Sequence, residues 1–152
     1  MVKKIDASGC VLFGEQEGGA VVQQLILPQV KPGTVIALKG LFGAGKSTLV
    51  RALFKALGHQ GGALPSPTYG YMHSYTMPSG LLVHHFDLYR CEGLEDLEEL
   101  GLLDYFCNDE AVVIVEWPDV VMPFLSRVGK KVFALELEHE GVDAEIRRLR
   151  IV

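Results

Sequence analysis

The segment from Gly40 to Thr48 has the residue types and the spacing that nucleotide phosphates require. It reads Gly-Leu-Phe-Gly-Ala-Gly-Lys-Ser-Thr and matches the pattern G-x-x-x-x-G-K-[ST] at every constrained position. The glycines permit backbone torsions that are closed to other residues, so consecutive N–H groups can turn toward phosphate oxygens. The pattern predicts a phosphate site, here called the P-loop, formed by Gly40, Gly43, Ala44, Gly45, Lys46, Ser47 and Thr48.

Two side chains of the P-loop have separate predicted roles. Lys46 would supply a mobile positive charge for the outer phosphates, and the Ser47 hydroxyl can bind Mg²⁺. The preceding segment, Thr34–Lys39, is β-branched and apolar like a buried parallel strand. The following one, Lys46–Leu57, has leucines at helical spacing and stops at Gly58. A helix N-terminus would therefore add its positive end to the site.

Two acidic residues at predicted strand ends could complete a P-loop enzyme, which needs a carboxylate near its metal ion. Glu116 directly follows Ala111–Val115, the clearest core strand of the sequence, and Asp87 directly follows Leu81–Phe86. We predict Glu116 as a metal ligand together with Ser47. Asp87 would act on the nucleotide or its water. The alternative for either acid is an exposed residue at the end of a strand.

Three other polar residues admit a functional or a structural interpretation. Thr68 lies in the loop after the P-loop helix and could sense the terminal phosphate as switch loops do, although Ser-Pro-Thr is also an ordinary turn. His84 and His85 suggest a metal site, but neighbouring strand residues point to opposite faces. A structural role is therefore favoured for both histidines.

The remaining segments complete an α/β pattern. They are a helix-like stretch over 15–30, a hairpin of Thr68–Met77 and Leu81–Phe86, two short helices within Leu94–Phe106, a short helix over Asp119–Arg127, and strands Lys131–His139 and Glu145–Val152. A strand, P-loop and helix followed by more strands with helices between them predict a P-loop NTPase-like three-layer α/β fold. The central sheet would be mixed and mainly parallel, within a single domain over residues 1–152.

The composition of the chain indicates which classes of partner it would bind and in which compartment it would occur. The net charge is −5 and the basic residues form no stripe, which argues against a protein that binds RNA or DNA by itself. No apolar run approaches the roughly 20 residues of a membrane span, and the start lacks a secretory signal. Three separated cysteines favour a reducing compartment. The expectation is a cytoplasmic protein without membrane or DNA partners.

Several short motifs in one order resemble the TsaE family, the bacterial ATPases of tRNA threonylcarbamoyladenosine synthesis. They are Gly43–Thr48, Ser66–Tyr69, His85–Arg90, Glu116–Pro118 and, less closely, Gly101–Phe106. The resemblance implies a protein that binds ATP and Mg²⁺ and hydrolyses ATP slowly. It also implies action with the TsaB–TsaD pair, which modifies an adenosine beside the tRNA anticodon, so tRNA would be contacted only through that complex.

The resemblance also implies a role for each matching residue. Ser47 and Glu116 would hold Mg²⁺, while Lys46 and the P-loop amides would hold the phosphates. Asp87 would support hydrolysis. Thr68 would be a switch residue, and Trp117 would lie beside the nucleotide.

The sequence departs from the family pattern at two places. Leu41-Phe42 replaces the usual Asp-Leu in the P-loop, and the lost carboxylate would affect hydrolysis or partner contact more than affinity. The family often has an arginine just after its C-terminal turn, whereas the nearest arginines here are Arg147 and Arg148. Contacts to the adenine side are therefore not assigned from the sequence.

Two other functions are compatible with a P-loop. A small-molecule kinase would need a lid with arginines, and no arginine cluster occurs between Gly58 and Leu81. A GTP-dependent binding switch would normally carry Asn-Lys-x-Asp, which the sequence lacks. Both alternatives are weaker than the ATPase interpretation.

Overall fold

One seven-stranded sheet runs through the computed structural model, which describes residues 4–65, 67 and 70–152. Its strands are β1 (Cys10–Gly14), β2 (Thr34–Lys39), β3 (Met72–Thr76), β4 (Leu82–Asp87), β5 (Ala111–Glu116), β6 (Lys131–Glu140) and β7 (Asp143–Ile151). They lie in the order β1-β7-β6-β2-β5-β4-β3. Strands β6, β2, β5 and β4 are parallel neighbours, and antiparallel strands flank them on both sides. The predicted mixed sheet of an α/β fold is confirmed.

Helices cover both faces of this sheet. Those of the described chain are α1 (Gly18–Val21), α2 (Lys46–Ala56), α3 (Leu94–Glu99), α4 (Leu103–Phe106) and α5 (Met122–Arg127). Single turns of other helix types flank α1 and precede α5, at Glu15–Glu17, Val22–Ile26, Leu27–Gln29 and Pro118–Val120. Within residues 4–65, 67 and 70–152, no helix is long and apolar enough to cross a bilayer.

The alternation of side chains along β2 shows why three layers form. Ile36 and Leu38 join a core with α2 and the helical turns after β1. Val35 and Ala37 join a second core with α3, α4 and α5 on the opposite face. A strand buried on both faces reads as a continuous apolar run, which is what the sequence of β2 displays.

Three predicted elements differ in detail from those observed. The helix-like stretch over 15–30 is divided into four short helical pieces. Gly18-Gly19 and Pro28 explain this, because glycine and proline disfavour a continuous α-helix. The segment Asp119–Arg127 contains the end of a single turn and then α5. The first hairpin strand begins only at Met72, and Thr68 lies outside the described residues.

The register of the parallel strands places the candidate residues at one edge. Leu38 of β2 pairs with Glu116 of β5, and Glu116 pairs with Asp87 of β4. Since parallel strands all end at the same edge of a sheet, the P-loop that follows β2 emerges beside both carboxylates. Ligands of open α/β sheets bind at this carboxyl edge.

Candidate functional site

The backbone of the P-loop has the conformation that its glycines were predicted to allow. Gly40, Gly43 and Gly45 have φ angles of 150°, 77° and 106°, all in the region that favours glycine. At Gly40 a Cβ atom would come within 2.7 Å of the Leu137 carbonyl oxygen. The chain can therefore turn out of β2 beside β6 only with glycine at this position.

Lys46 begins α2 and is only 6% exposed. Its ammonium donates hydrogen bonds to the Gly40 carbonyl oxygen and, at 3.0 Å, to that of Leu41. Burial lowers the Lys46 pKa, while the negative charges of Glu116 and Asp87 oppose that shift. The side chain thus holds a desolvated positive charge against the loop, beside two acids.

The residues with predicted chemistry meet in one cleft of about 210 Å³. Its lining consists of Phe42, Gly43, Gly45, Lys46, Ser47, Thr48, Asp87, Glu116, Trp117 and Arg147. A neighbouring cleft of about 550 Å³ is lined by the other two P-loop residues, Gly40 and Ala44, together with part of β6. Of the predicted residues only Thr68 cannot be placed, since it lies outside the described residues.

Ser47 and Glu116 present the donor atoms that suit Mg²⁺. Both line this cleft and also a smaller cavity of about 90 Å³ beside it. A hydroxyl and a carboxylate are hard oxygen ligands, and Mg²⁺ completes its octahedron with water and phosphate oxygens. The pair therefore fits a magnesium ion that would be shared with a bound nucleotide.

Trp117 covers the lysine from the end of β5. Its ring centroid lies 4.3 Å from the Lys46 Nζ atom, within the range of a cation–π contact. Its backbone has φ 54°, a left-handed conformation that is rare for a bulky residue and that tends to occur at functional sites. The family resemblance implies a place for Trp117 beside the nucleotide, and it gave no indication of this backbone conformation.

Phe42 and Tyr89 join Trp117 in an aromatic cluster at the mouth of the cleft. The ring centroids lie 4.3 Å apart for Phe42 and Tyr89 and 5.1 Å apart for each of them with Trp117. Phe42 is still 64% exposed and Leu41 is 78% exposed. The two residues that depart from the family pattern therefore have different surroundings, since Phe42 packs against the site and Leu41 extends into solvent.

Sequence reasoning did not assign Arg147 to this site. It lies on β7, yet it lines the cleft, and a Cβ added to Gly45 would be 3.4 Å from its Nε atom. The signal was the alternation along β7, which places Arg147 on the opposite face from Arg148. Arg148 instead pairs with Glu140 at 2.7 Å.

The sequence favoured a structural role for both histidines, but in the structure the two contact different kinds of residue. They do point to opposite faces: His84 Nδ1 lies 2.7 Å from Ser74 Oγ, whereas His85 Nε2 lies 2.8 Å from Glu116 Oε2. Burial lowers the pKa of His84. His85 thus contacts a predicted metal ligand. It lies two residues before Asp87 on β4 and therefore on the same face of the sheet.

Comparisons with known proteins identify a family that this chain matches over most of its length. The family model described as threonylcarbamoyl adenosine biosynthesis protein TsaE matches residues 14–149. The chain is 32% identical over 142 residues to the tRNA threonylcarbamoyladenosine biosynthesis protein TsaE of Aquifex aeolicus, with 93% of each chain covered. It is 36% identical over 102 residues to the protein of the same name from Haemophilus influenzae. That match covers 67% of this chain and 63% of the relative, just under two thirds of its length.

A solved structure shows the same fold. The crystal structure of YdiB from Bacillus subtilis superposes with a TM-score of 0.64, covering 99% of this chain and 86% of the other. The sequence identity is 24%, so this likeness concerns the fold alone. It supports the P-loop NTPase-like class that the sequence predicted.

Proposed function

The chain belongs to the TsaE family of threonylcarbamoyl adenosine biosynthesis proteins, and from this premise we propose that it binds ATP with Mg²⁺ and hydrolyses it slowly. Hydrolysis would serve the TsaB–TsaD pair during threonylcarbamoyl modification of the adenosine next to the tRNA anticodon. The observation that carries the proposal is the convergence of Lys46, Ser47, Asp87 and Glu116 on one cleft at the carboxyl edge of the sheet.

Phosphate binding would use groups that are already in place. The P-loop amides and the N-terminus of α2 favour negative charge. The Lys46 ammonium now bonds to two carbonyl oxygens of the loop, and phosphate oxygens would replace them as stronger, charged acceptors. A triphosphate would also offset the burial that lowers the Lys46 pKa.

Ser47 and Glu116 would hold the magnesium ion, which when bound supplies positive charge to the β- and γ-phosphates. Asp87 follows β4 directly and is the register partner of Glu116, so it lies at the same edge. We assign Asp87 to holding the attacking water, as an acceptor for its proton or through hydrogen bonds. Trp117 would close the site from the Lys46 side.

Arg147 would add a second positive charge to the phosphates from β7. It lines the same cleft as Lys46 and Ser47. The adjoining cavity at Gly45 measures about 20 Å³ and also contains Glu15, so it is too small for a base, and the contacts of the base are not assigned.

The surface charge supports an indirect relation to tRNA. The net charge is −5, and a protein that neutralises nucleic-acid phosphates by itself needs clustered Lys and Arg. The TsaB–TsaD pair would therefore hold the tRNA, and this chain would contribute the ATPase step.

The experiment that tests this proposal is a nucleotide titration followed by tryptophan fluorescence. Trp117 is the single tryptophan of the chain and lies on Lys46, so ATP binding should change its emission. Lys46→Ala should weaken ATP binding by about 10- to 100-fold, because a charge-assisted hydrogen bond contributes about 1.5–3 kcal/mol. Lys55→Ala is the matched control, since Lys55 is an exposed lysine of the same helix.

Two outcomes would contradict the proposal. GTP binding tighter than ATP binding would indicate a guanine-nucleotide switch. Transfer of label from ATP to a metabolite in a phosphoacceptor screen would indicate a kinase. Release of inorganic phosphate that depends on Mg²⁺ and disappears with Lys46→Ala would support the ATPase.

A further inference from the structure

His85 and Glu116 form a buried pair between β4 and β5. His85 is 5% exposed and Glu116 is 5% exposed, and their Nε2 and Oε2 atoms lie 2.8 Å apart. A buried carboxylate is costly unless it is paired or hydrogen-bonded. The imidazole N–H therefore satisfies one oxygen of Glu116 and fixes the direction of the carboxyl group.

The orientation of His85 is itself fixed by packing. Its ring lies 6.2 Å from the Phe54 ring of α2, and its Nδ1 has no hydrogen-bond partner among the residues that the structure describes. A carboxylate oxygen accepts hydrogen bonds, so the Nε2–H of His85 donates to Glu116 Oε2.

The same pair faces Ser47. A cavity of about 90 Å³ is lined by Ser47, His85 and Glu116, with Val50, Arg51, Leu64 and Pro65 completing its wall. The hydrogen bond to His85 uses Oε2, which leaves Oε1 for a further ligand. His85 thus contacts the acid that the proposed function assigns to the metal.

We propose that His85 is a positioning residue that orients the Glu116 carboxylate toward a magnesium ion shared with Ser47. The inference rests on the proposed function, since it requires a metal at Glu116. Partners behind a metal ligand restrict its rotation, and their loss typically weakens metal affinity or activity by about 10- to 100-fold. His85 touches neither nucleotide nor metal in this assignment.

The chain provides a matched control in the adjacent histidine. His84 is 3% exposed and has the same side chain on the same strand, but it lies on the opposite face beside Ser74. Replacing either histidine by leucine removes one buried imidazole and one hydrogen bond. Only the His85 change touches Glu116, so a difference between the two variants separates positioning from general loss of packing.

The test measures ATP affinity by Trp117 fluorescence at increasing Mg²⁺, together with thermal unfolding. His85→Leu should need about 10- to 100-fold more Mg²⁺ for the half-maximal metal effect, while its affinity for ATP in EDTA stays that of the wild type. His84→Leu should retain the wild-type Mg²⁺ requirement. His85→Gln, which keeps an N–H donor, should recover part of the loss.

Four results would overturn the inference. If His85→Leu needed no more Mg²⁺ than the wild type, the orientation of Glu116 would not depend on His85. If His84→Leu needed as much additional Mg²⁺ as His85→Leu, the effect would come from a general loss of packing. A fall in the preference for Ni²⁺ over Mg²⁺ in His85→Gln would make His85 a metal ligand, because imidazole favours Ni²⁺ over Mg²⁺. Absence of any Mg²⁺ effect in the wild type would instead reject the metal role in the proposed function, and the inference with it.

Discussion

Glu116 is an acidic residue in a buried position, where a carboxylate costs free energy unless it is paired or hydrogen-bonded. It is 5% exposed at the end of β5, bonded to His85 and close enough to Lys46 to raise the pKa of that lysine against the effect of burial. An acid with no task at this place would be better replaced by an apolar residue. The magnesium ion proposed to lie between Glu116 and Ser47 would supply the cation that such a carboxylate needs.

Glu116→Gln keeps the shape of the side chain and removes its charge. We expect ATP to bind with nearly wild-type affinity in EDTA and Mg²⁺-dependent hydrolysis to fall by about 100-fold, since metal charge stabilises the transition state by several kcal/mol. Phosphate release under saturating ATP measures this. Glu110→Gln, an exposed residue just before the same strand, should leave turnover unchanged. Full hydrolysis by the Glu116 variant would show that the metal assignment is wrong.

Leu41 marks a second residue at which this chain can be tested against its family. Its side chain is 78% exposed, and its carbonyl oxygen accepts a hydrogen bond from Lys46. Leu41→Asp would restore the usual carboxylate near the phosphates. We expect a changed hydrolysis rate, an ATP affinity within about threefold of wild type, and a stability within about 0.5 kcal/mol, as for most surface changes.

The comparison is made between single-turnover hydrolysis and equilibrium titration on the same preparation. Leu41→Asn is the control, because it is polar and similar in size to Asp but carries no charge. If Asp and Asn alter the rate equally, the effect belongs to the loss of leucine. A large loss of ATP affinity with Asp would contradict the view that this position acts on the rate.

At the scale of elements, the carboxyl edge of the parallel strands was predictable from the sequence because it depends on local patterns. β2 and β5 are buried on both faces and are therefore largely apolar runs, the first followed by Gly40 and the second ending at Glu116. The helical spacing of leucines after the P-loop predicted α2. Since parallel strands end together, these patterns bring Lys46 and Glu116 to one edge. Asp87 joins them because β4 is also parallel to β5, which the structure shows.

Other parts depend on contacts between distant segments and could not be derived in this way. β1 pairs antiparallel with β7, and Cys10 lies opposite Arg150, more than a hundred residues away in sequence. Arg147 reaches the site only because this pairing and that of β7 with β6 fix the β7 register. Neither apolar periodicity nor turn chemistry encodes such a register between remote strands.

The hairpin of β3 and β4 contains a titratable group that should link stability to pH. His84 lies on β4, bonded to Ser74 of β3 and packed edge-on against Tyr105 of α4, and burial lowers its pKa. A neutral imidazole in the folded state must gain its proton on unfolding at low pH. The unfolded chain then binds more protons, so stability falls as pH drops below the ordinary histidine value of about 6.5.

His84→Gln keeps a polar side chain and removes the titration. We expect the free energy of unfolding to decrease from about pH 7.5 to about pH 5.5 in the wild type, and to decrease less in the variant. Urea unfolding at both pH values measures the difference. His139→Gln, at an exposed position of β6, serves as control and should keep the wild-type slope. Identical slopes for all three proteins would refute the role of His84.

At the scale of the whole molecule, the surface offers two features that a partner could contact, namely exposed apolar side chains at the P-loop and an acidic helix. The exposed residues Leu41, Phe42 and Tyr89 surround the mouth of the cleft, and the acidic helix α3 carries Glu95, Asp96, Glu98 and Glu99. Exposed apolar groups next to polar ones are a usual feature of protein interfaces. Phe42 packs on Trp117, and Trp117 lies on Lys46. Phosphates bound by Lys46 would therefore shift Trp117, and Trp117 would in turn shift Phe42 on this surface.

Capture of the TsaB–TsaD pair should therefore depend on ATP. We expect the wild type to retain the pair on an affinity resin with Mg-ATP and to release most of it without nucleotide. At an ATP concentration near the wild-type Kd, Lys46→Ala should retain much less of the pair than the wild type, because it binds the phosphates more weakly, and Lys55→Ala should behave as the wild type. Raising the salt from about 0.1 M to about 0.5 M screens exposed charges, so a loss of capture at high salt would assign docking to α3, and its persistence would assign docking to the apolar mouth of the cleft. Equal capture with and without ATP by the wild type would show that nucleotide binding does not control assembly.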